Sequence, residues 1–405
     1  MEDREEKDCP LSGTRVLDLA DEKASFCSRL LADLGADVIK VERPGGDPSR
    51  QLGPFFKNIP SPEGSLFFWY NNTNKRGITL DLEQEEGKKI FFRLLKKTDI
   101  VVETFLPGDL HRLGLGYDVL KGINSRIILV SVTGFGQTGP RSHDRSCDLV
   151  ASASGGQMFV SGSPSTPPLK PFGEQSYYTA SLFAAIAVLL ALRNRDRLGR
   201  GEHIDISSQE AVLSTLDHVM VRYFHEKIIP KRQGNQSWNR SFFILPCKDG
   251  HILMAPFQQW ETLVEWLDGE GMAEDLKEEK WLEEDYRLRN FDHLIEILKR
   301  WTKTHSSGEL FEMGQLMHFP WAPVRTPKQV LESPQFKERG FFIRVDHPER
   351  SASFPYSGSP YQFSSLALNR WKRAPLVGED NVSVYQGELG LSGEELQRLS
   401  SMNVI

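Results

Sequence analysis

The chain has 405 residues, enough for two or three domains with cores of their own, and a formal net charge of -6 with charges of both signs interspersed. That balance excludes a nucleic-acid binder, which needs a basic face. Cys9, Cys27, Cys147 and Cys247 lie far apart, with no CxxC pair and no metal-ligand spacing, so the reading is reduced thiols, no metal and a cytoplasmic location. The acidic residues 1–8 hold no apolar leader core, and the longest apolar run, 182–192, is shorter than the roughly 20 residues a membrane span needs; no membrane is expected.

In chain order, 15–19 reads as a strand. A helix is expected over 24–34, where Phe26, Leu30, Leu31 and Leu34 recur at helical spacing and Gly35 follows as a C-cap. The β-branched run 37–42 reads as a second strand, completing a βαβ unit, the seed of a parallel sheet. Arg43-Pro44-Gly45-Gly46-Asp47 leaves its carboxyl end, where open α/β sheets bind ligands. Further strands are expected at 78–82, 100–103 and 126–132, and a helix at 83–97, giving a doubly wound sheet over 11–140. An apolar helix at 177–195 reads as core, and a turn and strand at 199–207 lead to a helix ending near 224.

Composition then shifts. Tryptophans at 238, 260, 266, 281, 301 and 321 mark a smaller domain, so the division is 1–225, 226–326 and 327–405. The last segment, rich in proline and loops, cannot form a core alone and is expected to pack back on another domain or subunit.

Cations gather on strand-end loops: Arg43, Lys75-Arg76, and Arg112 beyond Thr104-Phe105-Leu106-Pro107-Gly108. Such loops suit phosphates, which arginine can fork onto. A nicotinamide dinucleotide is the rival ligand. The first turn, Ala20-Asp21-Glu22-Lys23, has no GxGxxG and carries acidic residues that would repel a pyrophosphate.

The segments LSGTRVLDL, LADLGADVIKVERPGGD, NNTNKRGITLDL, VVETFLPGDLHRLGLGY, ILVSVTGFGQTGP, ALRNRDRLGRGEHIDIS, LPCKDGHI, VLESPQFKERGFF and APLVGED resemble, in order, the signature segments of class III CoA-transferases, the superfamily of formyl-CoA transferase, carnitine CoA-transferase and α-methylacyl-CoA racemase. The resemblance spans nearly the whole chain. It implies an α/β fold with a Rossmann-like large domain built from both chain ends, an inserted small α+β domain and two subunits interlocked as rings. It implies coenzyme A or acyl-CoA as a substrate, with no permanently bound cofactor. The matching CoA-binding positions are Lys23, Ala24, Arg43, Leu80 to Glu83, Thr104, Phe105, Leu106 and Arg112, with Thr104 replacing the asparagine of the E-N-F-x-P-G segment.

The family reaction starts with an aspartate attacking the thioester to form a mixed anhydride and free CoA thiolate, which neither a phenol nor an amide can do. A gapless alignment from the end of the 177–195 helix puts Tyr177 at that position, and 172–178 contains no aspartate. Two readings stand. Glu174, three residues earlier, is a displaced nucleophile, or this chain is a non-catalytic subunit beside a paralogue that keeps the aspartate. The second is favoured, because the pattern resembles the degenerate subunit of heteromeric members such as the succinyl-CoA:benzylsuccinate enzyme of anaerobic toluene degradation. A CoA-binding protein without an enzymatic partner is the remaining alternative.

Overall fold

The computed structural model describes residues 9–366, 368 and 371–405; the acidic start at 1–8 lies outside them. Two compact units divide the chain: residues 1–158, 170–229 and 339–405 form one, and 159–169 with 230–338 form the other. The second unit therefore also takes in 159–169 and runs to 338, where the sequence reading set 226 and 326 as its edges.

The first unit is built on six parallel strands: β1 (Arg15–Asp18), β2 (Asp37–Glu42), β3 (Arg76–Thr79), β4 (Ile100–Glu103), β5 (Ile128–Thr133) and β6 (His203–Ser207). Their order is β3-β2-β1-β4-β5-β6, the doubly wound arrangement, with the switch in strand order between β1 and β4. Successive residues point to opposite faces. Val16, Val38, Ile100, Val102, Ile128 and Val130 face one layer, with α1 (Ser25–Asp33) and the alanine face of α4 (Gln175–Leu198) packed on them. Leu17, Ile39, Val101 and Leu129 face the other, covered by Ile90, Phe91, Leu94 and Leu95 of α2 (Glu85–Leu95). Both faces are buried, which explains the nearly continuous apolar strands.

Between α2 and α4 lies α3 (Asp148–Ser154), and α5 (Ser208–Ser214) follows β6. The apolar run at 65–70 forms a helix, Leu66–Asn71, because Ser65 accepts the Phe68 amide and caps it. α4 differs from the expected core helix. Ala180, Ala184, Val188 and Ala191 are buried, but Leu182, Phe183, Ile186, Leu189 and Leu190 on its outer side are exposed. It is also long and apolar enough, by length and composition, to cross a membrane; counting only the unbroken apolar run at 182–192 missed that. In this unit its small-residue face is packed on the sheet and α1.

Residues 339–405 return to the first unit. Gly77 and Thr79 donate their amides to Asp380 and Asn381, and the Tyr385 hydroxyl donates to the Thr79 carbonyl at 2.6 Å, covering the β3 edge. The segment is less extended than its prolines suggest. It contains an antiparallel hairpin, Phe342–His347 with Ala352–Ser357, and a C-terminal helix, Gly393–Ser401, started by a Ser392–Glu395 capping box.

The second unit packs a three-stranded antiparallel sheet (Phe243–Pro246, His251–Met254, Ala322–Pro323) beneath helices. Trp260, Trp281, Trp301 and Trp321 are buried together. Glu270 accepts both the Trp266 and Trp301 indole N–H groups at 2.7 Å, which satisfies the buried Trp301 donor; the buried Trp321 Nε1 has no such partner.

Candidate functional site

A cavity of about 400 Å³ opens where β1, β2 and β4 end, beside the switch in strand order. Lys23 reaches it from the loop after β1 and Arg43 from the loop after β2. Leu80 and Glu83 contribute from beyond β3, and Thr104, Phe105 and Leu106 from beyond β4. These residues are scattered over more than 80 positions of sequence and meet here because parallel strands deliver their loops to one edge. Two of the expected positions do not line the cavity. Ala24 is fully buried as the N-cap of α1. Arg112 is exposed on a short helix and pairs with Asp109 at 3.3 Å.

Lys75 and Arg76 are not ligand-facing. They enter β3 at its amino end, opposite the cavity. Lys75 is buried, with Nζ 2.8 Å from Asp18 Oδ2 and further bonds to Ser25, Ser28 and Asn72, while Arg76 pairs with Asp37 and Glu388. Their place ahead of a strand was legible; that Lys75 is closed over inside the fold was not.

The cations that do line the cavity already hold carboxylates. Lys23 pairs with Asp21, and Arg43 with Glu83 at 3.0 Å across open solvent. The Arg43–Glu83 pair can open to an anionic ligand at little cost, since exposed pairs contribute about 0–1 kcal/mol; Lys23 and Asp21 are half-buried. Thr104 is spent differently. Its Oγ1 accepts the Asp21 amide at 3.0 Å and donates to Asp21 Oδ1 at 2.8 Å, clasping the loops after β1 and β4 together.

Sequence reasoning missed the buried frame behind Arg43. Glu42 accepts Arg50 Nε at 2.6 Å, Arg50 Nη2 at 2.7 Å and the Asp47 amide at 2.8 Å. Lys40 Nζ meets Asp47 Oδ2 at 3.0 Å. Burial raises the Asp47 carboxyl, but the Lys40 charge and the Ser49 bonds outweigh it and hold it below the usual range. Gly46, with φ +100°, turns the loop; a side chain there would also strike Arg50 at 2.9 Å. Charged residues inside an otherwise apolar strand, Lys40 and Glu42, were the available signal.

At the start of α4 the chemistry is different. Asp148 Oδ1 accepts the Ser176 amide at 2.8 Å and the Ser176 hydroxyl at 2.6 Å, and its Oδ2 lies 2.8 Å from Lys170 Nζ. Asp148 Oδ1 therefore holds the helix start, and Oδ2 faces the Lys170 ammonium. Glu174 precedes the helix, partly exposed and 3.9 Å from Lys170, its carboxyl raised by burial and the neighbouring Asp148 charge. Tyr177 lies in the first turn, 7% exposed. Burial, then the Glu22 and Asp21 charges, raise its phenol, so the hydroxyl stays protonated. Among the described residues no cluster of His, Cys, Asp and Glu is arranged to hold a metal.

Residues 11–381 match the CoA-transferase family III pattern. The chain is 32% identical over 400 residues to the succinyl-CoA:(R)-benzylsuccinate CoA-transferase subunit BbsE of Thauera aromatica, covering 96% of this chain and 97% of that one. It is 32% identical over 417 residues to a formyl-CoA:oxalate CoA-transferase of Streptomyces coelicolor, covering 98% and 99% respectively. The crystal structure of a CAIB/BAIF family protein from Brucella suis is similar to it with a TM-score of 0.84 at 32% identity, covering 94% of this chain and 100% of that one.

Proposed function

The chain belongs to CoA-transferase family III, and we propose that within it this is a subunit that keeps the CoA cleft but leaves the covalent chemistry to a paralogous partner. One observation carries the reading. Lys23, Arg43, Leu80, Glu83, Thr104, Phe105 and Leu106 line a single cavity, yet the first turn of α4 offers a buried phenol at Tyr177.

In the family reaction a carboxylate oxygen attacks the thioester carbonyl, the C–S bond breaks and CoA leaves as thiolate. The protonated Tyr177 hydroxyl supplies no such carboxylate. Lys23 and Arg43 exchange their carboxylate partners for CoA phosphates, and Phe105 and Leu106 give the adenosine end an apolar wall. The donor we assign is succinyl-CoA and the acceptor a carboxylic acid of the (R)-benzylsuccinate kind, following the BbsE relative, itself named as a subunit. A cytoplasmic complex of interlocked subunits completes the reading.

Glu174 favours a second reading, a stand-alone transferase. Its partly exposed carboxyl, one residue ahead of α4, is the feature a displaced nucleophile would need. Intact-mass measurement after incubation with succinyl-CoA separates the two. The wild-type chain gains no hydroxylamine-sensitive adduct on the first reading, and Tyr177→Asp gains one. An adduct on wild type that disappears in Glu174→Gln contradicts the first reading and establishes the second.

A further inference from the structure

Glu103 closes β4 directly before the Thr104–Leu106 loop, yet is only 3% exposed. Its Oε2 accepts the Phe105 amide at 2.6 Å, and its carboxyl also bonds Ser131, its in-register neighbour on β5. Ser131 Oγ in turn lies 2.9 Å from His203 Nε2 on β6. Ser131 is buried and His203 is exposed, so a continuous hydrogen-bonded line runs from a buried carboxyl to solvent.

The protons on this line can be counted. A serine hydroxyl has one hydrogen to give. When Glu103 is ionised that hydrogen points to the carboxylate, and His203 Nε2 must then be the donor to Ser131. When Glu103 is protonated the direction reverses: the carboxyl donates to Ser131, and Ser131 donates to an unprotonated Nε2. A neutral imidazole allows both tautomers. Burial lowers the His203 pKa against the opposing Asp205 charge, favouring that neutral ring, and the Tyr117 ring stacks on it at 5.5 Å.

We propose that Glu103 is a positioning residue of the CoA cleft: its carboxylate holds the Thr104–Leu106 loop through the Phe105 amide, and Ser131 with His203 carries its proton to and from solvent. The inference rests on the cleft being the CoA site. Burial raises the Glu103 carboxyl, the Ser131 and Phe105 bonds restrain it, and Asp21 and Lys23 act in opposite directions, leaving it at about 7.

Two opposite trends follow. Above about 7 the ionised carboxylate holds the loop amide with a charge-assisted bond; below it a neutral and weaker acceptor remains, so CoA affinity falls as pH falls. Folding stability runs the other way. The folded value lies above the ordinary 4.5, so this group's stabilising contribution is fully present below 4.5 and is lost as pH rises through about 7.

The test is calorimetric titration of CoA into the purified full-length protein between pH 6 and 8, with denaturant unfolding at both ends. For wild type the Kd should rise about fivefold toward pH 6, the difference between a charged and a neutral acceptor. Glu103→Gln, whose carbonyl accepts the same amide but does not titrate, should lack that rise and be more stable than wild type at pH 8. The same pH slope in Glu103→Gln overturns the inference. If that variant does not fold, Ser131→Ala serves, because losing the restraining bond should move the midpoint upward; an unmoved midpoint overturns it equally. The Phe105 amide resonance of the ligand-free wild type separates the two claims. Titration near 7 without CoA binding would keep the Glu103 contact and remove the CoA reading, whereas a flat resonance removes the inference.

Discussion

Arg43 and Lys75 are both cations beside strands, and the structure gives them opposite work. Lys75 is sealed against Asp18, and removing one partner of such a pair leaves the other charge buried alone. Arg43 stands in solvent, with side-chain exposures of 68% for itself and 58% for Glu83, so its ion pair adds almost nothing to folding and is free for a ligand. Arg43→Ala should therefore weaken CoA binding about tenfold while leaving thermal unfolding unchanged, since an arginine–phosphate contact is charge-assisted and an exposed pair is not structural. Paired calorimetry and melting curves check this; a matching loss of stability would make Arg43 a structural residue. Neither role was legible from the sequence, where KVERPGGD and TNKRGI look equally exposed. What separates them is burial: Asp18, Ser25, Ser28 and Asn72 close around Lys75 only once the sheet and its first helix are assembled.

At the scale of elements, local signals carried most of the reading. The β-branched apolar runs of the strands and the 3.6-residue stripe of 24–34 are written into neighbouring residues, and α1 and β2 lie where those patterns put them. The failures came where tertiary context decides. Residues 65–70 looked only apolar, and a single cap at Ser65 makes them a helix. The hairpin at 342–357 was hidden by prolines because its pairing is set between strands. α4 is the instructive case, apolar through its middle, where Ala180, Ala184, Ala185, Val188 and Ala191 are buried and the larger leucines are exposed. Leu182, Ile186, Leu189 and Leu190 recur along the exposed side, a stripe that a monomer has no reason to show water. The paired-subunit reading predicts that Leu190→Glu, at a side chain 63% exposed, breaks the complex into single chains in native mass spectra. An intact complex would mean the partner does not cover α4.

For the whole molecule, the sheet brings loops from four segments to one cleft, and the chain's end returns to seal the β3 edge. The family resemblance was readable from ordered motifs; the expectation that Tyr177 stands where the family has its aspartate rests on a gapless alignment from the end of α4. The consequence could not be read, since a nucleophile depends on what stands within reach in space. Around Tyr177 stand the carboxylates Glu22, Asp21 and Asp148, of which Asp148 is bound to Ser176 and Lys170, while Glu174 lies 3.9 Å from Lys170. The central claim, that this chain serves a catalytic paralogue, is tested most directly by native mass spectrometry of the complex purified from its own cells. The account predicts a one-to-one assembly with a second family III chain that carries an aspartate at the position of Tyr177. A homodimer that exchanges CoA between succinyl-CoA and a carboxylic acid unaided would contradict it.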